Sequence, residues 1–140
     1  MKRQGNDVTL DYEELRWYKE WMAQKAVEEF SYFIPYINPS YQRKWFHRVI
    51  ADYCQRLYED KIKNLMVFIP PQHGKSMTLT EALPSWYLMR NPERRVILVS
   101  YNEESAERFS RRNREKLQTW GPVLFGVGLG GLNRATEFEL

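Results

Sequence analysis

At 140 residues the chain is the size of one modest domain, long enough to bury roughly two thirds of its unfolded surface. Its 43% hydrophobic and 28% charged residues exclude a disordered or collagen-like chain. The net charge of +3 permits an anionic partner without demonstrating one. A single cysteine, Cys54, excludes an internal disulfide and points to a reducing, intracellular setting. The longest apolar run, Leu65–Ile69, is far short of the roughly 20 residues that span a bilayer. Residues Met1–Asp7 lead into polar sequence, not a signal-peptide core. A soluble, cytoplasmic, unexported protein without membrane association is therefore expected.

In chain order, residues 1–60 read as a helical segment. Leu15, Tyr18, Met22, Ala26, Phe30 and Phe33 recur at spacings of three and four, the stripe of one amphipathic helix. Pro35, Asn38 and Pro39 are expected to break it. Phe46, Val49, Ile50, Tyr53 and Leu57 form a second stripe reaching about Asp60. Thirteen of the 21 aromatic residues lie between Tyr12 and Tyr58, which a layer of aromatic-packed helices accounts for. Cys54, on the second stripe's helix, fits a small core position.

After Asn64 the pattern changes. Leu65–Ile69, ended by Pro70-Pro71, and Val96–Val99 are short apolar runs expected to be buried strands. Each precedes a helical stretch: one through about Arg90 with a bend near Pro84, the other with Ala106, Phe109, Asn113 and Leu117 facing inward. Ser100 with Glu103, or Asn102, caps the latter. Gly121-Pro122 and Gly126, Gly128, Gly130 and Gly131 suggest loops, and Thr136–Leu140 the start of a third strand. Strand, helix, strand, helix predicts an α/β fold with a central, mainly parallel sheet over 61–140.

The strongest chemical feature is Pro70-Pro71-Gln72-His73-Gly74-Lys75-Ser76. A loop at a helix N-terminus offers backbone N–H groups and the positive end of the helix dipole to phosphates. Gly74 admits close approach, Lys75 adds a mobile positive charge, and the Ser76 hydroxyl suits Mg²⁺. Gln72, His73, Gly74, Lys75, Ser76 and Met77 are thus candidate phosphate-binding residues for ATP. Ile69 occupies the place of the usual first glycine. A second feature is basic: Arg108, Arg111, Arg112, Arg114 and Lys116, interrupted by Glu115. That cluster fits DNA phosphates, a neighbour's γ-phosphate, or simply a solvated helix face. His47 and His73, without nearby cysteines, make a poor zinc pair.

Phe68–Ser76 resembles the Walker A segment of large terminase subunits, the ATP-driven motors that package DNA into the heads of tailed bacteriophages. Trp45-Phe46-His47-Arg48, Pro84-Ser85-Trp86-Tyr87-Leu88, Asn91-Pro92 and Val96–Asn102 with Ala106, Phe109 and Arg114 extend the resemblance from about Asn38 to Phe125. Gln72 stands where an arginine is more usual. The resemblance implies a P-loop NTPase domain, with Lys75 as catalytic phosphate-binding lysine and Ser76 as Mg²⁺ ligand. It also implies an adenine-contacting element among Gln42, Trp45, Phe46 and His47, with Trp45 or Phe46 suited to stacking. For a whole protein of that family it implies translocation of double-stranded DNA, endonuclease cutting of concatemers, and action in the bacterial host cytoplasm. Its partners would be a small terminase subunit, a portal protein and further copies of itself in a ring. A helicase-like or other P-loop ATPase is an alternative, as is a non-catalytic prophage remnant that binds nucleotide or DNA.

ATP hydrolysis of this class needs a carboxylate beyond the loop to hold Mg²⁺ and position water. The aspartates are Asp7, Asp11, Asp52 and Asp60, all before Lys75, and Val96–Val99 ends in Ser100-Tyr101. Residues 61–140 are therefore expected to stop short of the acidic (Walker B) motif, binding nucleotide but hydrolysing it poorly. The interrupted sheet would leave an unpaired edge, favouring self-association.

Overall fold

The computed structural model describes residues 11–128 and Gly130. Helix α1 spans Tyr12–Glu28, α2 Phe30–Ile37 and α3 Trp45–Tyr58. A segment of wide, π-type turns, Ser76–Ala82, runs directly into α4, Leu83–Arg90. Helix α5, Glu103–Trp120, passes likewise into a second wide-turned segment, Gly121–Phe125. No strand occurs among the described residues. The expected α/β fold with a central parallel sheet over 61–140 is therefore overturned; the regular structure is helical.

The reason lies in what a short apolar run reports. Along Leu65–Ile69 exposure alternates: Leu65, Val67 and Ile69 pack against the helical core, while Met66 is 79% and Phe68 85% exposed. In Val96–Val99, Ile97 and Val99 are each 87% exposed and Leu98 is half-buried. Every side chain of both runs is apolar, yet alternate ones stand in water where a buried strand would be covered on both faces. A strand is made by backbone pairing, however, and the pattern of side chains carries no information about a partner. Thr136–Leu140, the expected third strand, lies outside the described residues.

Helix α1 begins at a capping box. Asp11 accepts from the Tyr12 N–H at 2.7 Å, and the Glu14 carboxylate accepts from the Asp11 N–H at 3.3 Å. The predicted single stripe is two helices, because the backbone turns extended at Glu29 (φ −125°, ψ 120°). Residues 11–20 are all exposed, Leu15 and Tyr18 among them, so only the lower half of the stripe is core.

Pro35 does not end its helix. A proline has no N–H for the carbonyl four residues back, here Ser31, and Arg43 Nη1 donates to that oxygen at 3.1 Å instead. The same repair recurs at Pro84, near which a bend was expected. There the wide turns tighten into α4, and Asn113 Nδ2 of α5 donates to the Thr80 carbonyl at 2.8 Å.

The core gathers Phe30, Phe33, Ile50, Cys54, Trp86, Met89 and Leu117. Its centre also closes the C-terminus of α1, whose last carbonyls have no intrahelical donor. Trp86 Nε1 donates to the Ala26 carbonyl at 3.0 Å. Arg90 donates to the Val27 carbonyl and, at 2.9 Å, to that of Glu28. Arg90 also donates to the Tyr58 hydroxyl at 3.0 Å and lies over the Tyr58 and Trp86 rings. On α3 the buried face is His47, Ile50, Ala51 and Cys54, whereas Val49 and Tyr53 of the predicted stripe face outward. Burial pushes the Cys54 thiol up to about 12, as suits an inert core residue. Asn102 caps α5, its side chain accepting from the Ser105 N–H at 2.9 Å. Gly121-Pro122 begins a helical turn, not a loop, and a side chain at Gly121 would meet the Val127 carbonyl at 2.6 Å. Among the described residues no helix is long and apolar enough to cross a membrane.

Candidate functional site

The loop predicted to bind phosphate joins the irregular run Leu65–Ile69 to the helical stretch starting at Ser76. Two of its residues have left-handed backbones: Gly74 (φ 74°), where glycine is at ease, and Gln72 (φ 63°), where a side chain is strained. His73 stabilises the turn between them, its Nδ1–H donating to the Pro71 carbonyl at 2.7 Å. The Thr78 N–H donates to the Gly74 carbonyl at 2.9 Å, so the helical ladder starts within the motif. Lys75 and Ser76 stand exposed at this helix start, and Thr78 is buried one turn in. The first turn of a helix has no intrahelical acceptor for its N–H groups, and exposed Lys75 stands beside them, a combination suited to an anion.

Beside the loop is an open cleft of about 560 Å³. Gln72, His73, Gly74 and Met77 form one wall, and Tyr41, Lys44, Trp45, Phe46 and His47 the other. Helix α3 begins at Trp45, so its first turn carries three consecutive aromatic or imidazole rings to the loop. The Phe46 ring centre is 4.2 Å from that of His47, 5.4 Å from that of His73 and 5.9 Å from that of Trp45. Trp45 is 76% exposed, a ring with a free face. Burial raises the Tyr41 phenol above its ordinary range.

Most of the predicted site residues therefore converge. Gln72, His73, Gly74 and Met77 meet Trp45, Phe46 and His47 at one cleft, with Lys75 and Ser76 following at the helix start. Gln42 is exposed and does not line the cleft. Tyr41 and Lys44, which do, went unnoticed in the sequence because neither belongs to a motif or a stripe.

The basic cluster on α5 divides. Arg112 and Lys116 turn to Glu81, a carboxylate only 5% exposed on the helical stretch after the loop, Lys116 Nζ at 3.7 Å from it. Burial is the main cause lowering the Lys116 ammonium below its usual range. Arg108 and Arg111 are exposed, Arg108 lying over the Phe109 ring at 5.3 Å. Part of the cluster is therefore an internal tie between the loop's helix and α5. Glu81 carried no sequence signal, since a lone glutamate on a helix is ordinarily solvated.

A second cleft of about 590 Å³ lies between Glu28, Glu29, Asp52, Arg56 and Lys61. Its charges are largely satisfied among themselves, Arg56 with Asp52 at 2.8 Å and Lys61 with Glu59, so it offers less to a ligand than the loop does. Compared with protein-family profiles, with curated proteins and with solved structures, the chain finds no match.

Proposed function

We propose that this chain binds ATP, with its phosphates at the loop Gln72–Met77 and its base toward the cleft walled by Trp45 and Phe46. The observation that carries this reading is the convergence of a left-handed glycine, an exposed lysine and an unfilled helix start beside an aromatic-walled cleft. Lys75 supplies charge to the β and γ phosphates, backbone N–H groups of the loop hold their oxygens, and an aromatic face of α3 receives adenine. The exposed Ser76 hydroxyl fits Mg²⁺, which accepts a single protein oxygen when phosphates and waters complete its octahedron. When bound, the metal would neutralise phosphate charge.

The resemblance to large terminase subunits extends the reading. In it, this chain is the nucleotide-binding part of a phage DNA-packaging ATPase working in the host cytoplasm on double-stranded DNA, with a small terminase subunit, a portal protein and its own copies as partners. What supports the nucleotide site is the loop and cleft alone, in a region with no strand among the described residues. No aspartate follows Lys75 to position water, so residues 1–140 bind ATP and turn it over slowly or not at all.

Equilibrium titration with Mg-ATP tests this. Saturable binding that weakens at least about tenfold in Lys75→Ala is expected, for the loss of a charge-assisted phosphate contact. Equal affinity of the two proteins would overturn the reading. Robust steady-state hydrolysis abolished by the same substitution would overturn the slow-turnover part alone.

A further inference from the structure

His47 was read from the sequence as a base-contacting residue, but its ring is committed elsewhere. It is 8% exposed, at the third position of α3. Its Nδ1 accepts from the Lys44 N–H at 3.1 Å, closing the N-terminus of α3. With that lone pair engaged, the ring proton sits on Nε2, which lies 3.1 Å from the His73 carbonyl and donates to it. The same Nε2 would be 3.2 Å from a side-chain carbon placed on Gly74, so the imidazole occupies the space a side chain there would take. The Phe46 and Tyr41 rings, centred 4.2 Å and 5.1 Å away, hold it in place.

This bond fixes more than one oxygen. The peptide between His73 and Gly74 is planar and trans, so its carbonyl and its N–H point in opposite directions. Holding the carbonyl against α3 turns the Gly74 N–H away from α3, outward from the loop. We propose that His47 is the positioning residue of the phosphate loop: as the neutral Nε2–H imidazole it anchors the His73 carbonyl to α3 and thereby aims the Gly74 N–H at the bound phosphate. The inference rests on the loop being the phosphate site and adds which residue pre-sets its backbone.

Two conservative substitutions separate the two bonds of the ring. In His47→Gln the side-chain N–H₂ reaches where Nε2 stood, keeping the loop anchor and losing the helix cap. In His47→Asn the oxygen sits where Nδ1 stood, keeping the cap and losing the anchor. Each variant loses one buried hydrogen bond, so their thermal midpoints should fall by similar amounts. Mg-ATP affinity should stay within about threefold of the wild type in His47→Gln and fall about tenfold in His47→Asn, the range one hydrogen bond commands. In the ligand-free wild type, ¹⁵N spectra of the imidazole should show the Nε2–H tautomer.

Equal affinities for the two variants, or an Nδ1–H tautomer, would overturn the proposal. If Lys75→Ala abolishes binding while His47→Asn leaves it intact, the positioning role fails and the nucleotide site stands. If the wild type binds no Mg-ATP, both fall.

Discussion

The two ends of α4 belong to regions built in different ways. At its C-terminal end, Trp86 and Arg90 fill the core and supply donors to the three last carbonyls of α1, so packing and hydrogen bonding are satisfied by the same side chains. Before its N-terminal end lie the loop around Gly74 and the run Leu65–Ile69, where Met66 and Phe68 stand in water and the backbone depends on single side-chain anchors. A helical body can satisfy its backbone locally. A loop shaped for a ligand leaves N–H groups open and needs outside supports to hold its shape.

The largest effect should come from the body. Trp86→Ala removes a fully buried indole together with the donor to Ala26 and should cost ~3–5 kcal/mol in chemical denaturation. A loss under about 1 kcal/mol would mean that this core is not the one holding α1 to α4.

The two proline repairs sharpen the contrast, one in each region. Arg43→Ala strips the donor from the Ser31 carbonyl and Asn113→Ala strips it from Thr80, each a loss of ~1–3 kcal/mol. Only Asn113→Ala should speed amide hydrogen exchange through Ser76–Ala82, the segment that carries the loop. Acceleration in both variants, or in neither, would show that the regions are not separately supported.

What the sequence disclosed divides along the same line. Helical periodicity located α3 and the lower part of the first stripe, because burial on a helix repeats every three or four residues and leaves a visible trace. The loop proposed to hold phosphate stands out in the sequence because glycine, lysine and serine at that spacing suit one chemistry. The first stripe ran too far in both directions: a β-type Glu29 has no compositional mark, and the exposed upper half of α1 carries apolar residues that periodicity counts as core. Pro35 reads as a break and Pro84 as a bend because their compensating donors, Arg43 and Asn113, are contributed by other parts of the chain. The parallel sheet was the largest misreading. Leu65–Ile69 and Val96–Val99 are continuous apolar runs of the kind buried strands show, but pairing is a long-range property absent from the run itself.

Those runs also give the smallest expected effect on stability. Replacing Phe68 and Ile97 by serine removes side chains that are 85% and 87% exposed and should change the unfolding free energy by less than about 0.5 kcal/mol per site. Self-association should nevertheless fall, since exposed apolar patches of this kind drive it. Sedimentation velocity at rising concentration checks this, and unchanged association with a large stability loss would place both residues in contacts inside the fold.

The claim on which the functional reading turns is that phosphate is held by the loop and not by the other cleft. Residue-resolved ¹H–¹⁵N spectra during a Mg-ATP titration address it directly. Gly74, Lys75 and Ser76 amides should shift together and saturate along one binding curve, with Trp45 and Phe46 following and Glu28, Gln55 and Ile62 still. Shifts centred on Glu28–Ile62, or none at Gly74, would contradict it.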